Sequence, residues 1–180
     1  MGGATLLGTY FYRQHSAETA QRGAAEWLQH SAQRQPHKNK MAGAIPRRLR
    51  RGDVIGKLTV PRLRLSVMVL EGDDGGILRI GAGHIPATAL PQGSGNVGIA
   101  AHRDTYFRRL QFIRPCDSIV VTTPEGTSEY SVTQTEIVRP GDISVLANAP
   151  GRDLTLVTCY PFYYIGRAPK RFIVYAKKIA

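Results

Sequence analysis

A cysteine and an arginine stand near the C-terminal end of the chain at positions where they could form a reactive pair. Cys159 ends the apolar run Leu154–Cys159, and Arg171 opens another apolar run twelve residues later. The residues between them include prolines and a glycine, which favour a turn-rich loop between two strands. If those strands lie side by side, a thiol and a guanidinium meet at one edge of a sheet. A cysteine acyl-transfer enzyme is therefore the first hypothesis.

A thiol needs a partner before it can act as a nucleophile near neutral pH. A neighbouring histidine can favour the thiolate and carry a proton to a leaving amine. His102 ends the apolar stretch 96–102, and His84 lies in the glycine- and proline-rich segment 81–95. The residues alone leave both histidines open as the base. Arg171 stays protonated under ordinary conditions, so it is suited to stabilise an oxyanion and not to act as a base.

Each of these residues also has a purely structural interpretation. A cysteine near a strand end is more often a small buried residue, His102 could cap its strand or bond Asp104, and Arg171 could simply open a strand at the surface. The other cysteine, Cys116, lies in a turn before a predicted strand and has no evident role. We expect both cysteines to be free, because two cysteines make no disulfide framework and a bridge would block the nucleophile.

The segments that carry these residues belong to a chain of short β-branched runs. Its 19 glycines and 11 prolines are concentrated in the later two-thirds, between those runs, which is typical of a β-protein with many turns. The pattern predicts about eight strands between Val54 and Ile179, without an internal repeat. A closed or nearly closed barrel is favoured because closure leaves no unpaired strand edges.

Three local expectations follow from composition. Residues 77–80 are predicted to form a short extended segment. Residues 105–112 are predicted to be helical, with three candidate buried side chains, Phe107, Leu110 and Phe112. A solvated turn is expected for the acidic residues that follow the second predicted strand, Glu71, Asp73 and Asp74.

The N-terminal part of the chain has a different character. Residues 13–35 hold no proline, and alanine and leucine recur at i+4 spacing, which predicts a helix from about Ser16 to Gln33. The apolar stretch 4–12 is short of the roughly 20 residues that span a membrane, so it fits the end of a membrane anchor or the start of a short helix. Three divisions are predicted: an N-terminal helical segment over 1–35 that could be the remnant of an anchor, a basic linker over 36–52, and a catalytic barrel over 53–180.

Much of the formal net charge of +11 lies in one segment. Between residues 34 and 51 there is no acid among the basic residues Arg34, Lys38, Lys40, Arg47, Arg48, Arg50 and Arg51. The run could be a solvated linker, or it could contact anionic lipid, an anionic cell wall or nucleic acid. An alternative function is therefore a basic β-barrel that binds nucleic acid or an anionic polymer, with a stacking surface formed by Tyr160, Phe162, Tyr163 and Tyr164. Because most of the dense run lies outside the predicted barrel, its placement favours the enzyme.

Three motifs resemble, in the family's order, the segments that carry the catalytic residues of sortases, the cysteine transpeptidases of bacterial cell envelopes: Ala101–Thr105 the histidine segment, Thr155–Cys159 the TLxTC signature, and Pro169–Val174 the arginine-bearing strand. Gly83–Pro86 and Ala89–Pro91 are similar to the loop before the histidine strand, particularly in class D sortases. The similarity covers about residues 54–178, which is the whole predicted barrel.

This resemblance implies an all-β fold, an eight-stranded sortase-type barrel with short helices and an N-terminal helix. It assigns Cys159 as nucleophile, His102 as general acid and base, and Arg171 as stabiliser of the oxyanion or substrate. His84 then belongs to a loop that shapes the site. Substrate contacts are expected from four residues, namely Thr158, His84, Leu90 and Tyr160. The implied reaction is attack of Cys159 on the Thr–Gly or Thr–Ala bond of an LPxTG-like sorting signal, and resolution of the thioacyl-enzyme by an amine.

The resemblance also implies partners and a location. The partners would be secreted proteins with a C-terminal sorting signal and an amine acceptor on a peptidoglycan precursor or pilin, with membrane association and without nucleic acid. The location would be the extracytoplasmic face of the bacterial cell membrane, with an N-terminal anchor. No cofactor is predicted and no calcium site either, because the segment 81–95 contains no Asp or Glu. A non-sortase cysteine peptidase or an L,D-transpeptidase is a further alternative, but the Ser/Thr-His-Gly context of the latter is absent before Cys159.

Overall fold

The computed structural model of the chain describes residues 18–19, 21–30 and 49–179. Eight strands are formed by β1 (Val54–Val60), β2 (Leu65–Glu71), β3 (Ala82–His84), β4 (Val97–Ala100), β5 (Ser118–Thr123), β6 (Gly126–Val138), β7 (Leu154–Tyr160) and β8 (Lys170–Lys178). The described helical residues are α1 (18–19 and 21–30), α2 (Gly75–Ile80) and the short 3₁₀ helices η1 (Pro61–Leu63), η2 (Arg108–Phe112) and η3 (Ile143–Leu146).

The strands close into one barrel in the order β1-β2-β3-β4-β7-β8-β6-β5, and β5 pairs back with β1. The pairs β2/β3 and β4/β7 are parallel, and the other neighbouring strands are antiparallel. The predicted eight-stranded all-β barrel is therefore confirmed. The parallel β4/β7 pair matters most for function, because parallel neighbours carry their C-terminal ends to the same edge of a sheet.

Side chains of the strands alternate between the barrel interior and its outer face. The interior is filled by apolar residues that are almost wholly buried, among them Val97, Ile99, Leu154, Leu156, Val174 and Ala176. A second apolar cluster lies on the outer face of β7 and β8 under η3, and it contains Val138, Val145, Ile173 and Tyr175 with Leu146 and Val157 packed against them. One patch of the outer face is therefore covered, and a pocket can form at its edge.

The segment 77–80 is helical and not extended, so that prediction is wrong. Asp74 precedes α2, and its Oδ1 atom accepts hydrogen bonds from the backbone N–H groups of Gly76 at 2.8 Å and Ile77 at 3.4 Å. Arg51 holds the same carboxylate at 2.6 Å, and that contact lowers the pKa of Asp74. A side-chain cap of this kind satisfies the free N–H groups of a first helical turn. Here the cap outweighs the preference of a short apolar run for an extended conformation.

The segment 105–112 begins with turns and becomes helical only in η2. Phe107 and Leu110 are fully buried in the interior, as predicted. Phe112 is 59% exposed, so its predicted burial is wrong. Phe107 precedes η2 and Leu110 lies within it, whereas Phe112 is its last residue and points away from the interior.

The helix α1 packs on the outside of the barrel. Ala24 and Leu28 contact Met68 of β2, and the amide of Gln21 bonds the backbone N–H of Met68 at 2.7 Å and the carbonyl of Ile80. The helix predicted over 16–33 is thus present over the part that the structure describes. The apolar stretch 4–12 and residues 34–48 of the basic segment lie outside the described residues. None of the helices among the described residues is long and apolar enough to cross a membrane.

Candidate active site

Cys159 and Arg171 are direct neighbours across two antiparallel strands. The pairing of β7 with β8 places Cys159 opposite Arg171, one step before the last pair, Tyr160 and Lys170. Residues that face each other in an antiparallel ladder point to the same side of the sheet, with Cβ atoms about 4.5–5.5 Å apart. The thiol and the guanidinium therefore share the outer face of the barrel, as the sequence predicted from a strand-loop-strand arrangement.

His102 reaches the same face from the neighbouring strand. Ala100 of β4 pairs with Val157 of β7 in parallel register, and the N–H of Ala101 donates to the carbonyl of Val157 at 3.2 Å. Two residues further along the chain come His102, just beyond the end of β4, and Cys159, within β7. Since side chains alternate with a period of two, both lie on the outer face at the same level.

The three residues line one open pocket of about 420 Å³. Its remaining lining residues are Arg103, Asp104, Pro140, Gly166, Arg167 and Ala168. Both thiols of the protein are free, as predicted, with Cys159 partly buried and Cys116 exposed in a turn at φ 69°. The pocket thus brings together a thiol, an imidazole and a guanidinium, a set able to perform nucleophilic attack, proton transfer and stabilisation of an oxyanion.

Arg171 is fixed by the loop that precedes it. Its Nη1 atom donates to the carbonyl of Lys170 at 3.1 Å and to that of Ala168 at 3.4 Å. Both bonds use one nitrogen. Among the described residues, Nη2 and Nε of Arg171 have no acceptor, so these donors are available to a ligand. A guanidinium held in this way is suited to bind an oxygen atom above Cys159.

Thr158 lies on the opposite face of β7 from Cys159. Its side chain is 3% exposed, and its hydroxyl donates to the carbonyl of Ala101 at 2.7 Å. That carbonyl belongs to the residue directly before His102. Thr158 therefore joins β7, which carries the thiol, to the segment that carries the imidazole, and it does not line the pocket.

His84 is buried in a separate network at the ends of β2 and β3. Its Nδ1 atom lies 2.7 Å from a carboxylate oxygen of Glu71, and its Nε2 atom lies 3.0 Å from the carbonyl of Ala89 and 3.1 Å from the Thr88 hydroxyl. The expectation of a solvated turn is wrong for Glu71, because the register of β2 with β3 sets it opposite His84. His84 is 2% exposed and does not line the pocket that contains Cys159.

The other two expected substrate contacts lie near the surface. Leu90 is 42% exposed in the segment between β3 and β4, and it does not line the pocket. Tyr160 stacks on Phe172 at 6.4 Å between ring centroids and meets Phe162 edge-on at 6.2 Å. Two of the aromatic residues considered for stacking on bases therefore pack on protein, while Tyr163 and Tyr164 are exposed.

A buried tyrosine supports the outer face next to the pocket. The hydroxyl of Tyr175 donates to Glu136 at 3.0 Å, and the Arg152 guanidinium lies 4.2 Å from its ring centroid. Burial first, and the bond to Glu136 second, raise the pKa of Tyr175 to about 12. The hydroxyl therefore stays protonated and keeps its bond over the range in which proteins are studied.

Sequence reasoning missed six of the lining residues. Arg103 and Asp104 could have been found, since they directly follow His102 in the chain. Gly166, Arg167 and Ala168 lie in the turn-rich loop between Cys159 and Arg171, so their place beside the pair could also have been found. Pro140 comes from the segment between β6 and η3, and nothing in its local sequence points to the pocket. Among the described residues, no group of three or more His, Cys, Asp or Glu side chains could hold a metal ion.

Comparison with known families agrees with this geometry. A family model described as the sortase domain matches residues 58–179 of the chain. The match covers well over half of the 180 residues and includes all three strand ends that form the pocket. The chain belongs to the sortase family. The resemblance predicted from the three motifs is thereby confirmed.

The chain is similar in sequence to individual members of the sortase family. Sortase D of Bacillus subtilis is 34% identical over 129 residues, which are 71% of this chain and 65% of the relative. Sortase A of Listeria monocytogenes is 30% identical over 110 residues, which are 59% of this chain and 49% of the relative. The chain therefore spans between about half and two thirds of the length of these two relatives.

Solved structures share the fold. The Sortase D5 transpeptidase of Clostridium perfringens superposes with a TM-score of 0.76 at 24% identity, covering 90% of this chain and 99% of that one. Sortase A from Corynebacterium diphtheriae superposes with a TM-score of 0.66 at 25% identity, covering 91% of this chain and 84% of that one. The closed barrel described above is therefore the sortase barrel.

Proposed function

We propose that this sortase is a cysteine transpeptidase that cleaves an LPxTG-like sorting signal and joins the new C-terminus to an amine of a cell-envelope acceptor. The observation that carries the proposal is the convergence of Cys159, His102 and Arg171 on one face of three adjacent strand ends. The match to the sortase domain over 58–179 supports the same reaction class.

The first half of the proposed reaction forms a thioester. The Cys159 sulfur atom, as thiolate, attacks the carbonyl carbon of the Thr–Gly or Thr–Ala bond. Arg171 donates to the oxygen as it becomes negative, and preorganised donors of this kind stabilise the tetrahedral intermediate. Collapse of the intermediate breaks the C–N bond, and His102 gives its proton to the departing amine.

The second half reverses these roles with a new amine. The acceptor nitrogen attacks the thioester carbon while His102 takes a proton from it. Arg171 again binds the oxyanion, and collapse expels the Cys159 thiolate and leaves a new peptide bond. The enzyme returns to its starting protonation, because the proton lost by His102 in the first half is regained in the second.

The substrate would lie along the pocket between the segment after His102 and the loop 161–169. Tyr160 and Leu90, which do not line the pocket, would contact the peptide beyond it. Thr158 would act by holding the backbone before His102, and His84 by ordering its own loop at the ends of β2 and β3. Secreted proteins with a C-terminal sorting signal are the proposed donors, and a peptidoglycan precursor or a pilin is the proposed acceptor. The proposed location is the extracytoplasmic face of the cell membrane, where an N-terminal anchor would hold the barrel.

The test is incubation with a small set of LPxTG-like peptides and several amine acceptors, read by mass spectrometry. We expect a thioacyl adduct on the peptide that contains Cys159 and a ligated product that depends on the amine. Cys159→Ala should abolish both, whereas the matched variant Cys116→Ala should keep most of the turnover, because Cys116 is exposed in a turn outside the pocket. Product formation by Cys159→Ala would exclude the mechanism, and binding of nucleic acid without turnover would favour the alternative of a basic binding barrel.

A further inference from the structure

Arg103 connects the two walls of the pocket. It follows His102 directly, and its side chain is half-buried. Its Nη2 atom donates to the carbonyl of Tyr164 at 2.5 Å and to the carbonyl of Gly166 at 3.1 Å. The same guanidinium lies 6.0 Å from the ring centroid of Tyr164. One side chain therefore joins the segment that carries the imidazole to the loop between β7 and β8.

The loop has few other contacts at its tip. Phe162 packs at its base, with its ring centroid 5.3 Å from that of Phe172. Beyond it, Tyr163 is 73% exposed and Ile165 is 97% exposed. Within the loop, the N–H of Tyr164 makes one long bond of 3.4 Å to the carbonyl of Pro161. In the described part of the chain, the hydrogen bonds that reach the tip from other elements are those of Arg103.

We propose that Arg103 is a positioning residue that holds the loop 161–169 closed against the His102 segment and so sets the width of the substrate groove. The inference rests on the proposed function, because it assigns the groove to the sorting signal. It concerns a residue that acts through the loop and not on the reacting atoms. A guanidinium suits the task, since its planar donors can span two carbonyls and cover a tyrosine ring at once.

The arrangement has a direct consequence for specificity. Gly166, Arg167 and Ala168 line the pocket on the loop side, while His102, Arg103 and Asp104 line it on the other. Releasing Arg103 frees the Tyr164–Gly166 tip and lets the first set move relative to the second. The groove would then accept peptides with a wrong residue more readily, and it would bind the preferred peptide more weakly.

Limited trypsin digestion tests the clamp without any substrate. Arg167 lies in the loop and is followed by Ala168, so the bond between them is a tryptic site. Exposed loop tips are preferred sites of proteolytic nicking once they are mobile. We expect Arg103→Ala to be cut after Arg167 several times faster than the unaltered protein, with cuts between residues 34 and 51 as the internal reference. Arg103→Lys should lie between the two, because one ammonium can replace only part of the contact.

Steady-state kinetics test the effect on the groove. The net contribution of one hydrogen bond corresponds to a factor of about five in a binding constant, so we expect Arg103→Ala to raise KM for the preferred peptide about fivefold or more. The fall in kcat should be smaller. The preference for this peptide over one altered at the x position of LPxTG should also fall. Arg103→Lys should recover part of the loss. The matched control is Arg108→Ala, which removes an exposed guanidinium from η2 and should change neither KM nor the cut after Arg167.

The outcomes separate the clamp from the proposed function. If Arg103→Ala remains folded and shows the unaltered rate of cutting after Arg167 and the unaltered KM, the clamp is excluded. If no protein in the series turns over a peptide, the proposed function fails, but the digestion still decides whether Arg103 holds the loop. If Arg103→Ala does not fold, Arg103→Lys gives the same comparison, and wild-type behaviour in both assays would overturn the clamp.

Discussion

Replacement of Thr158 by valine tests whether a single buried hydroxyl holds the nucleophile strand against the histidine strand. Valine has nearly the shape of threonine, so the packing of the barrel interior is kept. The carbonyl of Ala101 loses the donor that now lies 2.7 Å away, and the two residues are only 4% and 3% exposed. Water cannot readily replace the bond at such a site.

The expected loss of stability follows from that burial. A buried acceptor left without its partner costs about 1–3 kcal/mol. Thr158→Ser keeps the hydroxyl and loses one buried methyl group, which costs about 0.8 kcal/mol before any cavity term. The free energy of unfolding should therefore fall in the order wild type, Thr158→Ser, Thr158→Val.

Catalysis should follow the same order, because Ala101 directly precedes His102. A misplacement of reacting groups by 1 Å can cost about 10²-fold in rate, so we expect Thr158→Val to lower kcat roughly tenfold or more, and Thr158→Ser to lower it little. Urea unfolding followed by far-UV circular dichroism gives the stabilities, and ligation of a cleaved peptide gives kcat under conditions where every variant is folded. A Thr158→Val variant as stable as Thr158→Ser and as active as wild type would refute the role of the hydroxyl.

Three further predictions concern the guanidinium, a carboxylate and a glycine. Arg171→Ala should lower kcat about 10²–10³-fold with little change in KM, as for loss of an oxyanion donor, with Arg171→Lys intermediate; a rise in KM with kcat unchanged would instead indicate that Arg171 acts by ground-state binding. Hydrogen bonding to Arg62, with an Nη2–Oδ2 distance of 2.6 Å, lowers the pKa of Asp117, so its stabilisation is present above the ordinary carboxyl value of about 3.9 and is lost as the pH falls through the lower folded value. Asp117→Asn should therefore be less stable than wild type at pH 7, and the difference measured by urea unfolding should shrink in acid; a difference independent of pH would contradict this. Gly83→Ala places a Cβ atom 2.2 Å from the carbonyl oxygen of Gly72, so it should destabilise the barrel by about 1–3 kcal/mol or more, whereas Gly23→Ala, with open space around its Cβ, should not.

The barrel and the pairing of Cys159 with Arg171 could be predicted because both are written in local patterns, whereas the choice of His102 over His84 depended on the resemblance to the family. β-Branched runs separated by turns predict the strands, and the residues Cys159, His102 and Arg171 each stand at a strand end. From the sequence, the meeting of these three residues could be predicted only on one condition. It required β4 to lie parallel to β7, and that pairing joins segments more than 50 residues apart in the chain.

Two of the errors, at Glu71 and at residues 77–80, involve polar partners from another segment. Glu71 resembles a surface acid, yet the parallel register of β2 with β3 pairs it with His84. Residues 77–80 resemble a strand, yet Asp74 caps them into α2 and is itself held by Arg51 from a distant segment. In each case polar contacts outweigh a weak local preference, and no pattern within the segment reveals the partner from elsewhere, His84 or Arg51.

The reactive side chains stand on the outer face of the barrel, and this has a consequence for how the site is built. Along β7, Leu154, Leu156 and Thr158 face inward while Val157 and Cys159 face outward, so the residues that hold the strand in the interior alternate with Val157, which packs under η3, and with the proposed nucleophile. A slip of one residue would exchange the two sets and bury the thiol. The interior therefore does more than stabilise the fold. By fixing the registers of β4, β7 and β8, it sets which three side chains meet, and a hydroxyl facing inward at Thr158 can govern an imidazole facing outward at His102.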